Sequence, residues 1–324
     1  MVVSPALIKA YSRMGQKGAA AGIGMMELAK LDPDMRVVVA DSVAIASLER
    51  FNNSYPERVF NAGISEQSMV GIAAGLSSED GRVVFACTYA AFVLVKAIEF
   101  VRHNLAYHQF NVKLIGNSAG FAMETLSISH WATEDIAMAR SLPNMTILSA
   151  ADSLEAIKMV MAAHDVKGPV YIRLSGLLNC PIVYANDFDY QIGKAYELQE
   201  GEGVTIIATG MMVKESLDAA EILAAKGLYC RVVDMHTIKP LDTACVDKAM
   251  ADSKLIISVE EHSIIGGLGG AVAEYLSEKE NSPRLIRIGV GDFYGKLGDL
   301  RYCWEQYGLT APQIAERIEK ELNK

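Results

Sequence analysis

Short apolar runs alternate with helical patterns along the chain, and this rhythm limits the folds that the sequence can adopt. Each apolar run has the length of a strand, and most of the segments between the runs have helical periodicity. Strands that alternate with helices favour a parallel sheet with helices on both faces. In the first part of the chain the predicted strands are residues 36–41, 59–60, 83–88, 112–116, 145–150 and 170–174.

The alternation of predicted strands and helices stops after Leu174 and starts again near Val204. Residues 181–202 contain Pro, Asn and Gly and a short extended piece, so we predict a connector there. Further strands are expected at 204–208, 230–235, 255–259 and 285–290, and helices at 213–225, 242–252 and 311–322. A chain of 324 residues can form two cores. We therefore predict an α/β protein with two parallel-sheet domains, residues 1–180 and 203–324.

Charge and cysteine content argue against several classes of protein. The formal net charge is -9 and no long basic run concentrates positive charge, so we expect no nucleic-acid binding. The five cysteines stand far apart without CxxC spacing, which predicts reduced thiols and neither disulfides nor a zinc site. The sequence shows no signal peptide, and no uncharged apolar run reaches the roughly 18 residues that cross a bilayer. These features predict a soluble cytoplasmic protein with no membrane contact.

The strongest functional signal is the stretch 61–76, NAGISEQSMVGIAAGL. A helix is expected to start after Ser65, to carry Glu66 in its first turn and to end near Gly75. A carboxylate at a helix start has a simple explanation, because it complements the helix dipole. The helix around Glu66 is nevertheless almost free of charge and rich in small residues, which makes Glu66 a functional-site candidate.

This stretch resembles the GIAEQ-type helix of transketolases, of 1-deoxyxylulose-5-phosphate synthases and of the beta subunits of 2-oxoacid dehydrogenases. The resemblance implies a pyrimidine-binding domain in residues 1–180 and a transketolase carboxyl-terminal domain in residues 203–324. It also implies that thiamine diphosphate is the cofactor. In these enzymes the Glu bonds to the aminopyrimidine ring of the cofactor, and the resemblance implies that role for Glu66. The protein then positions the cofactor and tunes a proton, while the cofactor carries the carbon chemistry.

Three further residues are candidates for the cofactor site. Asp41 follows a predicted buried strand, where it either faces a ligand or caps the next turn. Tyr89 and Phe92 lie three residues apart at the start of a predicted helix, so they share a face and either flank a flat ring or belong to the core. The family has an Asp near the thiazolium ring and a TF..F pattern that packs on the aminopyrimidine. The resemblance therefore favours the site for all three.

The segment SHWATEDIA, residues 129–137, resembles the THQ..EDIA segment of the family. The resemblance implies that His130 helps to protonate or orient a substrate oxygen, although a lone His is more often structural. Transketolases usually carry an earlier His and an Asp that reads a sugar hydroxyl. The matching positions here are Ser118 and Leu126, and Glu124 is an acid near the vacated place. We therefore expect retained thiamine chemistry with an altered sugar pocket.

Basic residues at three places could bind a substrate phosphate. Arg173 ends a predicted strand, where it either binds an oxyanion or forms an internal salt bridge. The family uses an Arg at this place for the phosphate. Arg13 and Lys17 are weaker candidates and are more simply part of a solvated helix face. The pattern EEH..IGGLG, residues 260–269, is typical of the carboxyl-terminal domain of the family, and we assign it to folding and assembly.

One half of a complete thiamine diphosphate site is missing from the sequence. The family holds Mg²⁺ and the pyrophosphate with GDG and a later Asn, and no such pair occurs here. The resemblance therefore implies a split enzyme, in which an amino-terminal subunit holds Mg²⁺ and the assembly is a two-plus-two heterotetramer. The expected activity is transfer of a two-carbon ketol unit between a ketose, phosphorylated in the usual case, and an aldose. The alternatives are a 2-oxoacid dehydrogenase beta subunit, a 1-deoxyxylulose-phosphate-synthase-like enzyme, or a degenerate regulatory subunit.

Overall fold

Within residues 3–324, which the computed structural model describes, the strands form two sheets. The strands are β1 (Arg36–Val39), β2 (Val59–Asn61), β3 (Val84–Tyr89), β4 (Val112–Asn117), β5 (Thr146–Ser149), β6 (Val170–Leu174), β7 (Tyr196–Gln199), β8 (Gly203–Ala208), β9 (Arg231–Asp234), β10 (Thr237–Lys239), β11 (Ser253–Ser263) and β12 (Arg284–Val290). Met1 and Val2 belong to the predicted first domain and lie outside the described residues.

The helices connect and cover the strands. They are α1 (Pro5–Ala19), α2 (Met26–Leu31), α3 (Glu49–Ser54), α4 (Glu66–Asp80), α5 (Ile98–Phe100), α6 (Asp135–Ser141), α7 (Ser153–Asp165), α8 (Met212–Ala224), α9 (Thr243–Asp252), α10 (Leu268–Ser277), α11 (Leu300–Tyr307) and α12 (Ala311–Leu322). Turns of π-helix occur at Ala20–Met25, Ala91–Lys96 and Val101–Tyr107, and turns of 3-10 helix at Pro56–Arg58 and Glu124–Ser129. In the described part of the chain no helix has both the length and the apolar character to cross a membrane.

The first sheet has the strand order β10-β5-β6-β4-β3-β1-β2, and its neighbouring strands are parallel except for β10 with β5. Strands β4 and β6 are buried along their whole length, which explains their mostly apolar sequences. Helices cover both faces. In β1, Val37 and Val39 join the core that contains α7, whereas Val38 joins the core that contains α4. This alternation is the two-residue period of a strand buried on both sides.

The second sheet has the order β12-β11-β8-β9-β7, with β7 antiparallel to β9 at one edge. Helices α8 and α12 pack on one face, and α9 and α10 pack on the other. The predicted two-domain α/β fold is confirmed, with one antiparallel edge strand in each sheet. Strand β7 lies inside the stretch predicted as the connector. Strand β10 follows three strands of the second sheet in sequence but belongs to the first sheet.

Helix α4 is longer than the sequence indicated. It continues to Asp80 and ends at Gly81, which adopts a left-handed φ of 77°. The prediction that it ends near Gly75 was wrong, because Gly75 lies on the exposed side of the helix and the buried Ser77 keeps the next turn packed. The Ser77 hydroxyl donates a hydrogen bond of 3.1 Å to the carbonyl of Arg82 and so holds the end of the helix.

A buried polar cluster joins the two sheets, and we call it the central network. It consists of Asp135, Tyr171, Arg173, Glu261 and His262. The Arg173 Nε donates to the Asp135 carboxylate at 2.9 Å, and its Nη2 donates to the carbonyls of Ala132 and Glu261 at 3.1 and 2.9 Å. Arg173 and Asp135 belong to the first half of the chain and Glu261 to the second, so these bonds tie the two halves together.

Candidate active site

The carboxyl ends of four parallel strands lie side by side at one edge of the first sheet, in the order β2, β1, β3 and β4. Ligands of open α/β sheets bind beyond such ends. Asp41 and Ser118 closely follow β1 and β4, Tyr89 ends β3, and Glu66 starts the helix that follows β2. The sheet order therefore brings residues from four separated parts of the sequence to one edge.

Glu66 is the first residue of α4, as predicted, and its side chain is only 3% exposed. Its Oε2 accepts a hydrogen bond of 2.5 Å from the Nζ of Lys96, whose side chain is 45% exposed. Ser65 occupies the N-cap position, but its hydroxyl donates to the hydroxyl of Ser68 at 2.8 Å rather than capping the helix backbone. Glu66 is thus a buried acid whose hydrogen-bond donor comes from another part of the chain.

Tyr89, Phe92 and His130 form one aromatic cluster. The ring centroids are 5.4 Å apart for Tyr89 and Phe92, and His130 is 5.1 Å from each of them. All three contacts are edge-to-face, with an angle of 77° between the rings of Tyr89 and Phe92. The two predicted ring-binding residues therefore do not make a parallel slot. The Nζ of Lys96 lies 5.7 Å from the Phe92 centroid, which links this cluster to Glu66.

Hydrogen bonds identify Nδ1 as a nitrogen of His130 that carries a proton. The Ser129 hydroxyl donates to the carbonyl of Leu126 at 2.9 Å, and the same oxygen lies 2.9 Å from the Nδ1 of His130. Because the hydroxyl has a single proton, Nδ1–H of the imidazole must be the donor in the second bond. Nε2 is therefore the nitrogen at which the ring can gain or release a proton. Ser129 was not singled out from the sequence.

Asp41 is exposed and adopts a left-handed φ of 53°. Asn61 positions it, because the Asn61 Oδ1 accepts from the backbone N–H of Asp41 at 2.9 Å and from that of Gly63 at the same distance. Gly63 also has a positive φ, 70°, in the turn that leads to Glu66. One amide side chain therefore connects the end of β1 to the start of α4.

The two positions that depart from the transketolase pattern have different surroundings. Ser118 is buried and has a φ of 55°, whereas Leu126 is 46% exposed in the 3-10 turn. The Glu124 carboxylate, the acid nearest to Leu126 in sequence, accepts from the backbone N–H of Leu300 at 3.2 Å. It therefore faces the start of α11 and does not replace the missing acid in this structure.

Arg173 does not lie at an accessible edge. It is 1% exposed, and its bonds in the central network use the guanidinium for Asp135 and two carbonyls. The prediction of a substrate phosphate there is therefore corrected to the alternative, an internal salt bridge. The end of β6 is covered because the second sheet, through β11, packs against it.

The EEH segment holds the loop that carries Leu126 and His130. The Glu261 Oε1 accepts from the backbone N–H of Phe121 at 3.0 Å and from the Trp304 indole at 2.8 Å. A Cβ on Gly120, whose φ is 61°, would lie 2.3 Å from the Glu261 carboxyl group, so glycine is required there. His262 accepts from the backbone N–H of Ala137 through Nε2 and bonds to the Ser263 carbonyl through Nδ1, and burial lowers its pKa to about 4.

The residues at this edge fit the aminopyrimidine half of thiamine diphosphate. A buried carboxylate and an aromatic cluster provide a polar and a flat contact, and the buried Asn117 Oδ1 at the end of β4 has no partner among the described residues. The other half of the cofactor is the pyrophosphate with its Mg²⁺. Within residues 3–324 no group of three His, Cys, Asp or Glu side chains lies close enough together to hold a metal ion.

Comparisons with known proteins place the chain in a family. Residues 17–180 match the model of the transketolase pyrimidine binding domain, and residues 193–314 match that of the transketolase C-terminal domain. The 6-deoxy-6-sulfo-D-fructose transketolase subunit of Clostridium sp. (strain MSTE9) is 38% identical, and the match covers 90% of this chain and 89% of that protein. One subunit of the apulose-4-phosphate transketolase of Phocaeicola vulgatus is 39% identical, with 90% and 93% covered.

A solved structure agrees with these relatives. It is a split-gene transketolase in the form of an inactive beta4 tetramer, with a TM-score of 0.84 and 39% identity over 95% of this chain and 98% of that one. The family implies thiamine diphosphate as the cofactor. From its two domains, its site and its relatives, the chain belongs to the transketolase family and matches carboxyl-terminal subunits of split transketolases over nearly its whole length.

Proposed function

We propose that this chain is the second subunit of a cytoplasmic two-component transketolase, which moves a two-carbon ketol unit from a phosphorylated ketose to an aldose. The observation that carries the proposal is the buried Glu66 at the start of α4, linked through Lys96 to the aromatic cluster of Tyr89, Phe92 and His130. The relatives with the same domain pair support the reaction class.

Each residue has a role that follows from its surroundings. Thiamine diphosphate, when bound, supplies the nucleophilic carbon. Glu66 holds a proton at a ring nitrogen of the aminopyrimidine, and its burial keeps water from competing for that bond. Tyr89 and Phe92 contact the ring and Asp41 lines the site. His130, held by Ser129 through Nδ1, uses Nε2 to move a proton at the substrate oxygen.

A partner chain completes the proposed enzyme. The sequence lacks the GDG and Asn pair for the pyrophosphate and Mg²⁺, so we assign both to an amino-terminal transketolase subunit. The 39% identical split-gene chain formed an inactive tetramer, which supports dependence on a partner. We propose an assembly of two copies of each subunit.

The sugar substrate is proposed to be unusual. Leu126 stands where the family has an acid that reads a sugar hydroxyl, and the Glu124 carboxylate does not fill that place. A pocket without a fixed polar partner discriminates weakly between sugars that differ in one hydroxyl. The two curated relatives are named for 6-deoxy-6-sulfo-D-fructose and for apulose 4-phosphate, which supports an atypical substrate for this chain as well.

Reconstitution tests the proposed function. The chain is co-expressed with an amino-terminal transketolase subunit, and ketose phosphates and 2-oxoacids are compared as donors with thiamine diphosphate and Mg²⁺. We expect ketol transfer by the pair and none by this chain alone, with weak or no cofactor binding by the chain in calorimetry. Tight Mg²⁺-dependent binding by the isolated chain would contradict the split site. Turnover of 2-oxoacids instead of ketoses would identify a dehydrogenase subunit.

A further inference from the structure

Lys96 joins the two parts of the proposed cofactor site. It is the last residue of the π-helical turn Ala91–Lys96, which also carries Phe92. Its Nζ lies 2.5 Å from the Glu66 Oε2 and 5.7 Å from the centroid of the Phe92 ring. The ammonium group thus contacts both the carboxylate and the ring that are proposed to hold the aminopyrimidine.

The environment of Glu66 explains why a cation is there. A buried carboxylate is costly unless it is paired and hydrogen-bonded, and the Glu66 side chain is only 3% exposed. In the structure the donor to its Oε2 is Lys96. A ligand that hydrogen-bonds to the Glu66 Oε2 while packing on Phe92 competes with this ammonium for that oxygen.

Lys96 can leave this position at low cost. Its side chain is 45% exposed and is a long flexible stem, so the ammonium can move into water and regain its hydration. Its backbone carbonyl lies 3.5 Å from the Gln67 amide nitrogen, a contact that does not restrain the end of the side chain.

We propose that Lys96 is a positioning residue that occupies the Glu66 carboxylate until the cofactor displaces it. This inference rests on the proposed function, because it takes the aminopyrimidine as the competing ligand. Displacement of an ion pair subtracts from the binding free energy, so Lys96 weakens cofactor binding while keeping Glu66 ordered in its absence. The ammonium should be more accessible to solvent in the loaded enzyme than in the empty one.

The test uses the reconstituted pair and measures the dissociation constant of thiamine diphosphate by calorimetry. Lys96→Met keeps the stem and removes the charge, and we expect it to bind the cofactor about 5- to 10-fold more tightly, as loss of a partly buried competing ion pair predicts. Lys214→Met, which removes the lysine of a surface ion pair with Asp218, is the matched control and should leave the constant unchanged. Weaker or unchanged binding by Lys96→Met would overturn the proposal.

A second measurement needs no substitution and stands if Lys96→Met fails to fold. Lysines of the wild-type pair are acetylated with and without thiamine diphosphate, and the modification of Lys96 is followed by mass spectrometry. We expect faster acetylation of Lys96 in the loaded enzyme, and slower or equal acetylation would contradict displacement. If the wild-type pair binds no cofactor at all, the proposed function fails, and this outcome differs from binding that is insensitive to Lys96.

Discussion

Glu66 and Glu261 are both buried acids, but their partners differ in a way that separates a ligand site from a structural contact. Glu261 accepts from a backbone N–H and an indole N–H, and neither donor can move without unfolding its element. Glu66 accepts from a half-exposed lysine that can rotate into water. Burial raises the pKa of Glu261. A buried acid with permanent donors stabilises the fold, and one with an exchangeable donor is available to a ligand.

The largest expected effect is on Glu66. Glu66→Gln keeps nearly the same shape but cannot hold the proton, so we expect a loss of 10²- to 10⁴-fold, roughly the contribution of a positioned acid–base group. Exchange of the C2 proton of thiamine diphosphate in the assembled pair measures the step directly, and the melting temperature should stay near that of the wild type. Glu261→Gln is the matched control and should reverse the pattern, with lower stability and near-normal exchange. An unchanged exchange rate in Glu66→Gln would make Glu66 a helix-start carboxylate and nothing more.

A substitution in the central network should strongly lower the free energy of unfolding. Asp135→Asn leaves the Arg173 guanidinium buried without its carboxylate, and such a change typically costs about 3–5 kcal/mol. Urea unfolding of the isolated chain measures the free energy of unfolding. Asp218→Asn, which removes the acid of a surface ion pair with Lys214, is the control and should have little effect. A small loss in Asp135→Asn would mean that the network is not needed to join the two sheets.

A buried pair of carboxyl groups should make the stability of the protein depend on pH. Glu155 on α7 and Asp234 at the end of β9 are buried acids that influence each other's protonation. The Glu155 Oε2 accepts from the backbone N–H of Ala151 at 2.6 Å and the Asp234 Oδ2 from the Tyr184 hydroxyl at 2.8 Å, whereas the other oxygen of each carboxyl group has no hydrogen-bond partner in the described residues. Burial raises the pKa of Glu155 well above its usual value and that of Asp234 to about 7. Asp152, Tyr184, Tyr190 and His236 surround the pair.

The sign of the expected pH effect follows from these shifts. Between about pH 4 and 7 the folded pair binds more protons than the unfolded chain, so its contribution to stability is lost as the pH rises through that window. Burial lowers the pKa values of His236 and His262 from 6.5 to about 4. Their contribution to stability is therefore lost as the pH falls from 6.5 towards 4, opposite to the effect of the carboxyl pair. Both remain in Asp234→Asn, so the difference between the two proteins isolates the pair.

We expect wild-type stability to fall relative to Asp234→Asn as the pH is raised from 5 to 8, by at most about 1.4 kcal/mol per pH unit for one proton. Urea unfolding across this range measures the slope. Parallel curves for the two proteins would show that the pair does not share a proton.

The smallest expected effect is on substrate choice, at the exposed side of the loop that Glu261 anchors. Without a fixed acid, the wild-type pair should prefer ribose 5-phosphate over 2-deoxyribose 5-phosphate by no more than about 10- to 200-fold in kcat/KM. Leu126→Asp should increase that preference by about 10-fold, with no loss of stability because Leu126 is half exposed. A wild-type preference of several orders of magnitude would disprove the altered pocket.

Most of the strands that the sequence predicted have apolar runs, because burial on both faces of a sheet requires them, and the short, largely exposed β2 is the exception. Strand β10 was not predicted, and β7 was expected only as a short extended piece of the connector. Both are short edge strands with polar sequences, TIK and YELQ, and pair antiparallel to strands distant in the chain. Arg173 was misplaced for a related reason. The sequence at the end of a strand does not show whether that end is open to a ligand or, as for Arg173 in β6, covered by the other sheet.

Within the candidate site, residue type and position at the end of a strand were predictable, and contacts were not. Lys96 lies 30 residues from Glu66, and a π-helical turn brings its side chain to the carboxylate. Ser129 next to His130 could have been recognised, because a hydroxyl beside an imidazole often sets which nitrogen carries the proton. The aromatic cluster of Tyr89 and Phe92 also includes His130, which lies 38 residues beyond Phe92 in the chain.

Strand β10 has a consequence for how the protein can be made and divided. During synthesis the first sheet stays unfinished until residues 237–239 have left the ribosome, after three strands of the second sheet. A polypeptide that stopped in the connector would expose the edge of β5, which invites pairing with other chains. The two domains should therefore be kept together whenever this chain is truncated or recombined with a relative.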